Sequence, residues 1–266
     1  MNADFHVHSD FSSDAESAPE VMIREAVRRG LRTICFTDHQ DKDYHAGPLS
    51  FTFDTAAYFE TMKRLQKRYK DVIDVRIGVE LGLQPHLGGY YKEYVNSYPF
   101  DFVLGSVYVI QSEDPYYPQF FEKREEREAY EAAFLETLEN IRAVPEFDVL
   151  GHLDYIVRYG KSAENYSYTA FSDLIDEILR ELIGRGKGLE LNMAGYKYGL
   201  GFSHPHPDIL KRYREFGGEI VTVGSDGHRP EHLAYEFGLV GEILHSCGFR
   251  YYTEFKGRKP VFQQLP

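Results

Sequence analysis

Thr33-Ile34-Cys35-Phe36-Thr37-Asp38-His39 is a short apolar run closed by a carboxylate and an imidazole. A continuous apolar stretch of this length reads as a strand buried on both faces, as in the middle of a parallel sheet. Similar runs recur at residues 5–8, 75–79, 102–107, 147–150, 188–192 and 219–223, which makes seven strands with 33–37. Each ends in a polar group: His8, Glu80, Tyr108, His152, Asn192 and Asp226-Gly227-His228. Amphipathic segments separate most of them, at residues 20–29, 55–69, 123–143, 171–185, 207–216 and 230–246. The first carries boundary signals: Ser17 and Glu20 at capping-box spacing around Pro19, and Gly30 as a left-handed stop.

Strands alternating with helices predict a mainly parallel α/β sheet with right-handed crossovers. Seven such units predict a distorted (β/α)7 barrel, a single domain over residues 1–266. In such a barrel all C-terminal strand ends open on one face, so polar residues far apart in sequence converge there.

Composition narrows the function classes. The 42% hydrophobic fraction supports a sizeable core, and no apolar run approaches the roughly 20 residues that span a bilayer. Met1-Asn2-Ala3-Asp4-Phe5 lacks the basic and apolar regions of a secretory signal, so a cytoplasmic protein is expected, with no membrane partner. Cys35 and Cys247 sit in apolar segments and read as buried free thiols. With 30 Lys+Arg against 42 Asp+Glu, the formal charge of −12 opposes nucleic acid as a partner. An anionic substrate must then be captured by metal ions or by a few local basic side chains.

The His6-Val7-His8 pair lies on one side of its strand, because side chains two apart share a face. An isolated pair of this kind is also what ordinary half-buried histidines look like. Recurrence carries the reading: Asp38-His39 and Asp226-Gly227-His228 repeat imidazole plus carboxylate at strand ends, and Glu80 ends the third strand. Mixed imidazole and carboxylate donors suit Zn, Mn or Fe. A carboxylate such as Glu80 can bridge two ions about 3.5–4 Å apart, as two-metal hydrolysis requires.

His6-Val7-His8, Thr37-Asp38-His39, Gly78-Val79-Glu80-Leu81, Gly151-His152-Leu153-Asp154-Tyr155 and Gly224-Ser225-Asp226-Gly227-His228 together resemble the PHP (polymerase and histidinol phosphatase) family, in the family's order. Asp114-Pro115-Tyr116-Tyr117-Pro118, Tyr155-Ile156-Val157-Arg158-Tyr159-Gly160 and Phe249-Arg250-Tyr251-Tyr252 resemble the branch that contains bacterial histidinol-phosphate phosphatases. The resemblance implies a distorted seven-unit barrel and two or three divalent ions (Zn, Mn or Fe). It implies His6, His8, Glu80 and Asp226 on the first ion, Glu80 and His152 on the second, and Asp14, His39 and His228 on the third. It also implies hydrolysis of a small phosphate monoester, L-histidinol phosphate, in histidine biosynthesis. The oligomeric state stays open.

The chemistry expected of such a site is attack by a metal-bound hydroxide, with the ions clamping the phosphoryl group. Asp38 is expected behind the ligands, accepting an imidazole N–H rather than touching an ion. Arg158 and Lys197, in loops after strands, are candidates for binding phosphate oxygens. His204 and His206, flanking Pro205, read as a solvent-exposed pair, and His45, His86, His232 and His245 lack suitable carboxylate neighbours.

Tyr108 departs from the family, which places a ligating histidine there for the second ion. A phenol has an ordinary pKa of about 10 and is a poor ligand at neutral pH. Three arrangements compete: a phenolate ligand, water in place of the imidazole, or an empty second position. Water is the expected one. Two other functions stand beside phosphomonoester hydrolysis: a PHP-type phosphodiesterase or nuclease, and a metal-bound regulatory protein whose turnover Tyr108 impairs. An amidohydrolase-like barrel also begins with paired histidines but expects a different order of ligands.

Overall fold

The computed structural model describes residues 1–161, 163 and 166–266. Seven strands lie side by side in chain order: β1 (Ala3–Val7), β2 (Thr33–Phe36), β3 (Asp74–Gly82), β4 (Phe102–Ser106), β5 (Val149–Leu150), β6 (Gly188–Asn192) and β7 (Val221–Gly224). Every neighbouring pair is parallel. The ring closes beyond the strand ends, where His8 N donates to the Gly227 carbonyl (3.0 Å) and Gly227 N to that of His6 (3.2 Å). The result is the expected nearly closed seven-stranded barrel.

Helices pack outside through apolar stripes. In α1 (Pro19–Arg28) the buried face is Met22, Ile23 and Ala26; in α2 (Thr55–Tyr69) it is Tyr58, Phe59, Met62 and Leu65. This is the helical spacing that turns one side to the sheet. Asp54 caps α2, its carboxylate accepting from Ala56 N (2.9 Å) and Ala57 N (3.1 Å). Three short or polar segments also form helices: α3 (Gly88–Ser97), α4 (Gln119–Glu122) and, after β6, α7 (Ala194–Lys197). The remaining α-helices among the described residues are α5 (Glu126–Ala143), α6 (Ser172–Gly184), α8 (Pro207–Glu215) and α9 (Phe237–Ser246).

Several boundaries differ from the sequence expectation. Ser17 does not cap α1: Ala18 occupies that position without a side-chain bond, while Pro19 and Gly30 (φ +79°) play their expected parts. The helix expected from residue 123 starts three residues later, because Glu125 and Glu128 form a reciprocal capping box. The segment expected as a helix over 230–246 is broken: Ala234 and Glu236 take left-handed φ values of +49° and +53°, and Asp4 Oδ2 accepts the Ala234 N–H (3.0 Å). That internal anchor pulls the chain inward, and α9 starts at Phe237.

The C-terminal hairpin, β8 (Tyr251–Lys256) paired antiparallel with β9 (Lys259–Gln264), was outside the strand expectation. Its tight turn uses left-handed Gly257 (φ +54°) and Arg258 (φ +63°). Thr253 Oγ1 accepts from Val221 N (3.2 Å), the Phe255 ring lies 5.1 Å from that of Phe102, and Arg258 Nε donates to Asp148 Oδ2 (2.6 Å). All three partners stand at the starts of barrel strands, so the hairpin covers the N-terminal end and leaves the C-terminal end open. Cys35 and Cys247 are buried free thiols, as expected. No described helix is long and apolar enough to cross a membrane.

Candidate metal centre

β1 delivers His6 and His8, both fully buried, to the C-terminal end of the barrel. His6 Nε2 lies 3.1 Å from Glu80 Oε2 and 3.8 Å from Asp226 Oδ1; His8 Nε2 lies 3.4 and 3.6 Å from the same two atoms. Two imidazole nitrogens and two carboxylate oxygens thus face one point. His8 Nε2 is buried and has no hydrogen-bond partner, although such a nitrogen ordinarily finds one. A divalent ion bonded at about 2.0–2.2 Å to each donor fits that arrangement.

The outer nitrogens show how these rings are held. His6 Nδ1 is 2.7 Å from Glu190 Oε1. A carboxylate only accepts, so Nδ1 carries the proton and Nε2 presents its lone pair inward. Gly224 makes room for this pair, since a Cβ there would collide with His6 and the Glu190 carboxylate. His8 Nδ1 is 3.1 Å from Ser12 Oγ, whose single hydrogen goes to Asp38 Oδ1 (2.9 Å). Ser12 Oγ therefore accepts from His8. Asp38 also takes Ser9 N (2.7 Å) and Ser9 Oγ, and burial, against these bonds, raises its pKa to about 6. Asp38 thus lies behind His8 and reaches it through a serine rather than directly.

A second gathering forms nearer the mouth. The His8 ring stacks on His39 (4.5 Å) and His228 (4.1 Å), and the donor atoms of these three histidines lie within 4.8 Å of one another. Asp14 Oδ2 is 3.1 Å from His228 Nε2 and 3.7 Å from His39 Nε2. The loop residue Asp14 therefore lies beside His39 and His228. Asp226 is held at a left-handed φ of +53°, a conformation costly for a non-glycine residue, which aims its carboxylate at His6 and His8.

Charge coupling among these side chains is strong. Burial opposes ionisation of Glu80, yet His6 and His39 hold its pKa well below the usual range. Burial also disfavours protonated His39, but Asp41, Asp14 and Glu80 outweigh it and lift its pKa to about 10. Burial together with neighbouring His228 and His39 pushes His8 well below its ordinary value. A cluster that must share protons to stay compact is one that cations can displace.

The position expected for the second ion differs. Glu80 Oε1 and His152 Nε2 are 3.2 Å apart, and the Tyr108 hydroxyl donates to that Glu80 oxygen at 2.6 Å while lying 3.1 Å from the histidine nitrogen. The phenol oxygen meets both anchors.

Basic groups line the rim. Arg158, in the turn after β5, stacks on Tyr155 (3.9 Å to the ring centroid) and Tyr198 (4.4 Å), and its Nη1 is 3.9 Å from Asp226 Oδ2. Its Nε and Nη1 are buried without hydrogen-bond partners among the described residues. Lys197, at the end of α7, donates to the Asp226 carbonyl (2.8 Å). Both candidates thus reach the edge of the acidic cluster.

Three features escaped sequence reasoning. Glu190 sits mid-strand in β6, where its alternation with Asn192 was the available signal. Asp41, whose Oδ2 is 3.4 Å from His39 Nδ1, is two residues past a quoted motif. His204 is not exposed: it is fully buried, with Nδ1 2.6 Å from Asp154 Oδ1. The reason is an antiparallel bridge between Asn192 and His204, which draws that loop against β6.

The PHP domain model matches residues 4–194. The histidinol-phosphatase of Lactococcus lactis subsp. lactis (strain IL1403) is 30% identical over 263 residues, covering 96% of this chain and 95% of that protein. A probable histidinol-phosphatase of Thermotoga maritima is 30% identical over 265 residues, covering 98% and 99%. Among solved structures, histidinol phosphate phosphatase from Lactococcus lactis, complexed with Zn, L-histidinol and phosphate, superposes with a TM-score of 0.91 at 29% identity, covering 98% of each chain.

Proposed function

We propose that this chain, which belongs to the PHP family, is a metal-dependent phosphomonoesterase that hydrolyses L-histidinol phosphate to L-histidinol and phosphate, a step of histidine biosynthesis. The observation that carries the reading is Arg158: a buried guanidinium with unpaired donors, fixed by two tyrosine rings beside a carboxylate that faces the paired histidines. Unsatisfied buried donors of this kind are poised for an anion, and a guanidinium fits phosphate oxygens in bidentate fashion. The Lactococcus lactis structure, which holds Zn with both products of that reaction, supports the substrate.

Divalent ions, two or three of them and Zn, Mn or Fe by donor type, would be held by His6, His8, Glu80 and Asp226 and by Asp14, His39 and His228. When bound they neutralise the phosphoryl oxygens and activate the attacking water. The chain's own residues do the positioning. Glu190 and the Asp38–Ser12 relay keep the protons of His6 and His8 on their outer nitrogens. Arg158 binds and orients the phosphate, and Lys197 adds positive charge at the rim while tethering the Asp226 backbone. Tyr155, Tyr159 and Tyr198 form the aromatic wall on which Arg158 rests. Cytoplasmic residence is the matching proposal, supported by two buried reduced thiols.

A panel of phosphate monoesters and a phosphate diester, assayed on protein loaded separately with Zn, Mn and Fe, tests the function. Preferential phosphate release from L-histidinol phosphate is expected. Preferential cleavage of the diester would replace this reading with a phosphodiesterase.

A further inference from the structure

We propose that Tyr108 closes the second ion's position, so that this chain is built to hold two ions rather than three. The inference rests on the reading of the site as a PHP metal centre, and it turns on what each Glu80 oxygen already binds. Oε2 faces only imidazole nitrogens, those of His6, His8 and His39 at 3.1, 3.4 and 3.4 Å. Oε1 instead accepts two short hydroxyl bonds, from Ser106 Oγ and Tyr108 Oη, both at 2.6 Å. A carboxylate oxygen has two lone pairs, and here both are taken by O–H donors.

His152 differs from His6, His8 and His228 in the same sense, and shares with His39 an Nδ1 that has no hydrogen-bond partner among the described residues. The outer nitrogens of His6, His8 and His228 have partners: Glu190 Oε1 at 2.7 Å, Ser12 Oγ at 3.1 Å and the Asp226 carbonyl at 3.1 Å. Such partners fix the ring and raise its donor strength toward a metal. His152 Nδ1 has no partner, and its Nε2 lies 3.1 Å from the phenol oxygen.

The phenol does not sit there by chance of rotation. Its ring is wedged edge-on against Tyr155 (5.2 Å) and His39 (5.5 Å) and tilted on His152 (5.4 Å). Packing on three sides sets the hydroxyl between Glu80 and His152, where it joins them much as an ion would.

Metal counting tests this independently of any substrate. Wild type, Tyr108→Phe, Tyr108→His and the double variant Tyr108→His/His152→Ala are loaded with Zn or Mn, desalted, and ions per folded chain determined by elemental analysis, with circular dichroism confirming the fold. The expected result is two ions in wild type, three in Tyr108→His, and a return to two in the double variant, with Tyr108→Phe losing none. Three ions in wild type, an ion lost in Tyr108→Phe, or no gain in Tyr108→His would each overturn the proposal. Loss of an ion in Tyr108→Phe would make the phenol a ligand instead. If no variant and no wild type holds ions, it is the metal-centre reading itself that fails.

Discussion

His6 and His8 look alike in sequence but are held by different groups, Glu190 for one and a serine-relayed Asp38 for the other. Glu190→Gln keeps the shape and can turn an amide N–H toward His6, which disfavours the tautomer a metal needs. Loss of such an outer partner weakens metal affinity about 10- to 100-fold. Competition against a chelator measures it, and an unchanged affinity would remove Glu190 from the site's support. Protonation gives a second prediction with a definite sign. Asp41, Asp14 and Glu80 outweigh the burial of His39 and lift its pKa to about 10, so an ion must displace its proton throughout the neutral range. Affinity should therefore rise with pH, with protons released on binding. Calorimetry in buffers of different ionisation enthalpy reads that release, and pH-independent affinity would contradict it. The paired histidines, His39 and Asp226-Gly227-His228 were legible as candidate ligands because imidazole and carboxylate recur at apolar strand ends. Asp14 was not legible from pattern, since a loop carboxylate has no periodicity to mark it and only family resemblance singled it out. Glu190 was hidden by its place inside an apolar strand, and His204 by a loop whose bridge to Asn192 no local signal announces.

The elements were read with similar selectivity. Strands buried on both faces announce themselves as apolar runs, and all seven were located, with ends shifted by one or two residues at most positions. Helix starts were less legible, because caps depend on which side chain reaches which amide: Ser17 does not reach one, whereas Glu125 and Asp54 do. The hairpin of β8 and β9 carries mixed polar and aromatic residues and pairs only with itself, so no apolar run betrayed it. It nevertheless supports the barrel through Thr253, Phe255 and Arg258. Phe255→Ala, which empties a buried site against Phe102, should cost about 3–5 kcal/mol of stability. Denaturant unfolding measures it, and a loss below about 1 kcal/mol would show that the hairpin is peripheral to the core. Metal content of the folded variant should stay the same, because the hairpin and the site occupy opposite ends of the barrel.

At the scale of the whole molecule, the chain separates stability from chemistry. One end of the barrel is sealed by a hairpin, and the other gathers at least nine acidic and imidazole side chains contributed by β1, β2, β3, β6, β7 and the loops after them. A net charge of −12 would repel a phosphate ester, yet Arg158 and Lys197 are placed at the mouth and the acidic residues of the cluster face imidazole nitrogens. Ions bound only by the folded state should raise the melting temperature as their concentration rises above Kd, and chelation should reverse the gain. The most direct test of the central claim is phosphate release from L-histidinol phosphate by metal-reconstituted wild type beside Arg158→Met. The account predicts turnover by wild type and a fall in kcat/KM of at least about tenfold in the variant, from loss of charged hydrogen bonds to phosphate, with ions per chain unchanged. No phosphate release from fully metallated wild type, or an Arg158→Met enzyme as active as wild type, would contradict it.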